Sequence, residues 1–154
     1  MLRRDRLSLF VPTLLVASGL IGCGGSPSLP APVQRLPGKW HGEMIVYKEE
    51  LEGKLSPERI AALEQMQMDF EFRSDGTMTA VGAHAGQAAA SQGQWQMVKQ
   101  EGDVLMIQST EEGGRVEPKK FEFDGADMFY MPIQAKLGDS GVADLGAMRF
   151  TRLR

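Results

Sequence analysis

The chain has 154 residues, room for one domain of ordinary size and an appendage but crowded for two. Hydrophobic residues make up 42% and charged residues 24%, the balance of a chain that buries a core, and a formal charge of −3 excludes broad electrostatic attraction to nucleic acid. Its one cysteine, Cys23, leaves neither an intramolecular disulfide nor a thiolate metal cluster, so packing must hold the fold together. From the amino terminus, "MLRRDR" places Arg3, Arg4 and Arg6 ahead of an apolar run from about Leu7 to Ile21 that Pro12 interrupts. A basic head, a short apolar middle and small residues before a junction read as a secretory signal over residues 1–22. A membrane-spanning helix needs roughly 20 predominantly apolar residues, and Pro12, Ser18 and Gly19 dilute a run that is already shorter.

The junction Leu20-Ile21-Gly22-Cys23 resembles the lipobox of bacterial lipoproteins. The resemblance implies cleavage between Gly22 and Cys23, a diacylglycerol on the Cys23 sulfur, and a further fatty acid such as palmitate on the new amino group. A buried methylene contributes about 0.8 kcal/mol and a single acyl chain binds only reversibly, so two or three chains hold a protein on a bilayer almost permanently. Cys23 is then an attachment point and not a catalyst. Loss of the arginine-rich leader makes the mature chain more acidic, which leaves the lipid as its hold on the membrane. Gly24 stands where an aspartate would argue for retention at the inner membrane, so the expected location is the outer membrane, facing the periplasm.

Residues 23–37 are expected to form a tether. Pro27, Pro30, Pro32 and Pro37 favour extended polyproline II, which rises about 3.1 Å per residue and would carry a folded body up to roughly 40 Å from the surface. The folded domain is expected over residues 38–154. "KWHGEMIVYK" alternates, with Trp40, Gly42, Met44 and Val46 on one face, and predicts a strand. Ser56-Pro57-Glu58 then offers a hydroxyl N-cap, a proline at the first helical position and an acid in the first turn. Ile60, Leu63 and Met66 recur at helical spacing and predict one short amphipathic helix.

Beyond the helix the period becomes two. Met68, Phe70 and Phe72 alternate with charged residues, and Asp75-Gly76 turns the chain into a strand over residues 77–83. "QWQMVK" pairs with "VLMIQS" across a turn at Glu101-Gly102-Asp103, "KKFEFD" turns near Gly125 into "DMFYM", and a last strand covers residues 147–153. Residues 83–91, small and rich in alanine, are expected to be a loop. The expected fold is therefore mainly β, an antiparallel meander of about eight strands closing into a small barrel.

Gly38-Lys39-Trp40 resembles the Gly-x-Trp of lipocalin-like barrels, and the helix after the first strand together with "FEFRSDGTMTAVG" resembles small lipocalin-like domains of bacterial lipoproteins. The resemblance implies that Trp40 closes one barrel end beneath an arginine of the last strand, either Arg149 or Arg152. It departs from secreted lipocalins in its short length, its missing disulfide and its helix near the first loop.

Motifs for chemistry are few. His41 and His84 have no Cys or His partner at ligand spacing, His41 shares an outward strand face with Glu43, and no Gly-x-Ser-x-Gly elbow or phosphate loop is present. Met66-x-Met68 raises soft-metal ligation, but flexible thioethers at apolar strand positions read as core filling. No enzyme activity, metal or cofactor is expected. Two functions stay open: a barrel that binds a small apolar ligand near Trp40, Met44, Phe70, Met78 and Trp95, entered past residues 83–91, or an envelope interaction module whose barrel interior is only its core. Gly42, Ala80 and Gly82 are the positions expected to leave space inside.

Overall fold

A computed structural model describes residues 29–84, 87–111, 114, 116–137 and 141–154. The signal segment, the Leu20 to Cys23 junction and the first part of the tether lie outside the described residues. Eight antiparallel strands run once round a closed barrel, each bonded to the next and the last to the first. They are β1 (Gly38–Val46), β2 (Gln67–Phe72), β3 (Thr77–His84), β4 (Gln87–Glu101), β5 (Val104–Glu111), β6 (Val116–Phe123), β7 (Met128–Lys136) and β8 (Val142–Arg152). This is the meander that the period-two patterning predicts, closed into the small barrel that the lipocalin-like resemblance implies. The expected helix is present as α3 (Pro57–Glu64), where the Ser56 hydroxyl accepts the Arg59 N–H at 3.4 Å and Pro57 occupies the first helical turn. Two four-residue helical turns, α1 (Pro32–Arg35) and α2 (Lys48–Leu51), accompany it. No helix among the described residues is long and apolar enough to cross a membrane.

Three expectations need correction. Residues 32–37 are not extended: α1 folds onto the barrel end, with Arg35 and Leu36 buried and the Val33 N–H donating to Gln100 Oε1 at 3.1 Å. Residues 87–91 are not loop but the start of β4, paired with β3 from Thr77↔Gln94 up to His84↔Gln87. Alanine, serine and glutamine carry too little apolar contrast to display a period, while the backbone ladder needs no side chain at all. The last strand starts five residues early, because a register shift between Ile133 and Gln134 breaks the parity that Val142 and Asp144 would have shown.

Apolar residues of even parity on β1, β2 and β3 converge inside the barrel. Trp40, Met44, Phe70, Phe72 and Met78 meet Leu105, Ile107, Phe121, Phe123, Phe129, Met148 and Phe150 from the opposite wall, all buried. Gly42 belongs to this face for a packing reason: a Cβ there would lie 2.4 Å from the Phe150 ring. The gap expected at Gly42 is thus filled by Phe150.

One seam of the barrel is incomplete. β7 and β8 pair over nine positions, whereas β6 and β7 pair only at Glu122↔Tyr130 and Phe123↔Phe129. The cause lies in the sequence. The Asp124 N–H bonds the Met128 carbonyl across the turn at 3.0 Å, so alternate residues back along β6 (Glu122, Lys120, Pro118) and forward along β7 (Tyr130, Pro132, Gln134) face one another. Each of the next two facing positions on this register therefore includes a proline, which has no N–H to give to the ladder. Lys120 and Lys136 are exposed on the same two strands, and proline with lysine is the pattern that blocks pairing with a foreign strand.

Candidate functional site

The most elaborately bonded region is the barrel end where α1 enters. Trp40 sits fully buried at the mouth of β1, and its Nε1–H donates to the Leu36 carbonyl at 2.8 Å. Arg152, directly across the β1–β8 ladder from Trp40, lays its guanidinium 4.2 Å from the Trp40 ring centroid. The same guanidinium donates to the Pro37 carbonyl at 3.0 Å and to the Arg35 carbonyl, and its Nε lies 3.2 Å from Asp127 Oδ1. Of the two arginines the resemblance offered, Arg152 therefore takes the closing position. Arg149 points outward instead, 3.0 Å from Glu43.

Gly38 makes this closure sterically open. Its φ is +140°, a region L side chains rarely adopt, and a Cβ would sit 2.4 Å from Arg152 Nη1. Arg35 supplies the second layer. Only 6% exposed, it bonds Asp103 Oδ1 at 2.5 Å and the Gly125 carbonyl at 2.5 Å, and its guanidinium lies 4.9 Å from the Phe123 ring centroid. α1 is thereby fastened to the turn between β4 and β5, to the turn between β6 and β7, and to the last residues of β8.

Behind this seal runs a column of aromatic rings. Phe129 lies 4.7 Å from Trp40 edge to face, 4.7 Å from Phe150 in a stack and 4.7 Å from Phe121; Phe70 stacks on Phe150 at 5.0 Å, and Phe72 meets Phe121 at 5.8 Å. Of the five residues expected to hold a ligand, Trp40, Met44, Phe70 and Met78 are parts of this packed core. Trp95 faces the same interior but is only half-buried, with its ring 5.9 Å from Phe72 and its N–H donated to the Arg73 carbonyl at 3.1 Å.

The larger clefts among the described residues are a groove of about 490 Å³ lined by Arg73, Thr77, Met78, Gln92, Gly93, Gln94 and Thr110, one of about 430 Å³ against α2 and α3 lined by Lys48, Glu49, Pro57, Ile60 and Glu64, and an apolar one of about 260 Å³ lined by Leu55, Arg59, Ala62, Leu63, Leu137 and Leu145. Met78 is the one residue of the expected ligand site on the walls of these three, and none of them gathers all five. At the end opposite the seal the inner positions of β3 and β4 are small, and a Cβ at Gly82 would meet no atom within 4 Å, while Met44, Leu51 and Leu145 fill the β1–β8 side.

His41 Nδ1 lies 2.6 Å from Asp69 Oδ1 on the outer face of β1 and β2, with Glu43 4.0 Å from the other ring nitrogen. This is a hydrogen-bonded contact on the partly exposed outer face of the sheet. Of His84 only its place in β3 is described. Among the described residues no three His, Cys, Asp or Glu side chains are placed to hold a metal. Met66 and Met68 are half-buried against the core.

Sequence reasoning missed Arg35, Leu36, Asp103 and Asp127. A faint signal existed, since Pro32 at a helix start followed by Val33 and Leu36 three apart is a one-turn apolar pattern inside a stretch that otherwise reads as spacer. Comparison with known protein families, with characterised proteins and with solved structures gave no match to this chain.

Proposed function

We propose that this chain is a lipoprotein of the bacterial cell envelope, anchored through Cys23 to the periplasmic side of the outer membrane, that acts as an interaction module and not as an enzyme. Its barrel interior serves as its core and its outer surface and far end meet its partner. The reading of the anchor is supported by the Leu20 to Cys23 junction behind a basic head and a short apolar run. The observation that favours an interaction module over a carrier is the aromatic column: Phe70, Phe72, Phe121, Phe129 and Phe150 occupy the volume a ligand would need, where ligand cavities run to about 300–1,000 Å³.

A second reading, a carrier of one small apolar molecule, draws on the small inner residues around Gly82 and on the half-buried Trp95. The two are separated by native mass spectrometry of the delipidated domain purified from its own host, with Trp95 fluorescence as the reporter. An interaction module carries no co-purifying small molecule and shows unchanged emission and melting temperature with apolar probes. A bound molecule of defined mass that also shifts the melt would replace it with the carrier. The anchor is tested on its own by Cys23→Ser, which should abolish incorporation of labelled fatty acid; continued labelling would refute it.

A further inference from the structure

We propose that the α1-sealed end of the barrel is the face apposed to the bilayer, with the α2–α3 end directed away from it. The inference rests on the lipid anchor proposed above. Its basis is that the chain does not leave the barrel where the sequence pattern suggests. Because residues 32–37 are packed down by the bonds of Arg35, Arg152 and Val33, the exit point is fixed at Ala31, beside the turns at Gly102 and Gly125. Only Gly24 to Ala31 remain to span the distance from the acylated cysteine.

Lengths decide between upright and inverted. Eight residues reach at most about 30 Å when fully extended, at roughly 3.3–3.6 Å each. As a flexible chain they average about 16 Å, from roughly 5–6 Å times the square root of their number. The longest strand, β4, has 15 residues. At about 3.3 Å per residue and a tilt near 40° it rises roughly 38 Å along the barrel axis. An inverted barrel would hold its sealed end that far from the surface, beyond the reach of the tether, so the sealed end must face the membrane.

The charges at this end suit that position. Glu101 is 2.7 Å from Lys99, Asp103 is 2.5 Å from Arg35, and Asp127 is shared by Arg152 at 3.2 Å and Arg154 at 3.4 Å. Paired in this way, those carboxylates do not present a block of uncompensated negative charge to anionic headgroups. The orientation also determines what a partner meets first, namely the surface of α2 and α3 and the adjoining ends of β3 and β4.

The experiment uses the lipidated full-length protein, in which acylation of Cys23 leaves any introduced thiol unique. A fluorophore is placed at Asp124→Cys, in the β6–β7 turn of the sealed end, or at Gln65→Cys, beyond α3. Each protein is reconstituted in phosphatidylethanolamine–phosphatidylglycerol vesicles carrying a headgroup-attached nitroxide. Quenching at position 124 should exceed that at position 65 several-fold, and a Gly-Ser insertion after Ser28 longer than the barrel is tall should remove the difference. Protein that floats with the vesicles but is quenched equally at both positions, or more at 65, overturns the orientation alone. Protein that fails to float refutes the anchor, and the orientation with it.

Discussion

Replacing Trp40 with alanine is the most direct test of how the sealed end is built. The side chain has no solvent exposure, donates one hydrogen bond to Leu36, meets Phe129 and Phe123 edge to face, and lies under the Arg152 guanidinium. Truncation of a buried tryptophan costs about 3–5 kcal/mol, and the two aromatic contacts, at about 0.5–1.5 kcal/mol each, place this one toward the upper end. Against a total stability of about 5–15 kcal/mol that is a large fraction. Scaled to a domain of this size, each kcal/mol lowers the melting temperature by about 3–5 °C, so the midpoint should fall by at least 10 °C. The assay is urea denaturation of the delipidated domain, with the slope of the transition unchanged so that the shift in midpoint reports stability. Trp95→Ala supplies the internal contrast, because Trp95 is only half-buried and should cost less. A loss under about 1 kcal/mol for Trp40→Ala would refute the sealed-core account, since no fully buried tryptophan with four partners is removed so cheaply.

Arg35→Ala should destabilise the domain by about 1.5–3 kcal/mol, the range for hydrogen bonds to charged groups, and expose residues 32–37 to limited digestion by a protease of broad specificity while the barrel stays intact; an unchanged digestion pattern would mean α1 is not held by this residue. Its partner Asp103 is largely solvent-exposed, so salt should weaken the effect. Asp75 caps the β2–β3 turn, and the Thr77 hydroxyl, then the Thr77 amide, hold its carboxyl below the ordinary aspartate value. A depressed folded pKa contributes stability that is complete above the unfolded value near 3.9 and is lost as pH falls through the lower folded value. Asp75→Asn should therefore flatten the acid limb of the stability curve below about pH 4, its cost being full at neutral pH and fading as pH falls through the folded value; an NMR titration of Asp75 with an ordinary midpoint would contradict this. Replacing Pro118 and Pro132 together by valine should add protected amides at both positions in hydrogen exchange as the β6–β7 ladder extends, and amides that exchange freely would place the cause of the open seam elsewhere.

Much of the barrel was legible because its strands bury one face and wet the other. Wherever aromatic and charged residues alternate, as at Phe70-Glu71-Phe72 or Phe121-Glu122-Phe123, parity alone assigned the inward side correctly. Legibility failed where side chains carry no contrast. Ala88, Ala89 and Ala90 are all exposed, and their strand exists through backbone pairing with β3. It failed again in the tether, because Arg35 is held by residues 68 to 117 positions away and no local pattern can announce Asp103, Gly125 or Arg152 as partners. The closing arginine stood between two candidates for a related reason. Arg149 and Arg152 are three apart and so point to opposite faces of β8; parity puts Arg152 on the inward face of Phe150, but only the register Trp40↔Arg152 sets it over the tryptophan.

The two ends of the barrel follow from how bulk is distributed along the strands. Toward the seal the inner positions are Trp40, Phe72, Phe121, Phe123, Phe129 and Phe150, large rings that need one another and exclude water. Toward the far end, on β3 to β6, they become Ala80, Gly82, Ser91, Gly93 and Ser109, with Lys119 paired to Glu117 at 3.1 Å on the inner face of β6, whereas on the β1–β8 side Met44, Leu145 and Leu51 of α2 stay buried. Small and charged inner residues cannot draw β6 and β7 together by apolar burial, and Pro118 and Pro132 deny the pair its next amides, so packing and hydrogen bonding fail at the same seam. Stability must then be concentrated at the sealed end. In hydrogen exchange the amides of Trp40, Phe70 and Phe150 should open only with global unfolding, while those of residues 87–92, which among the described residues pair with β3 alone, should open at far lower free energy. Equal protection at both ends would show that the small-residue half is as tightly packed as the aromatic half, contrary to the asymmetry drawn from the side chains.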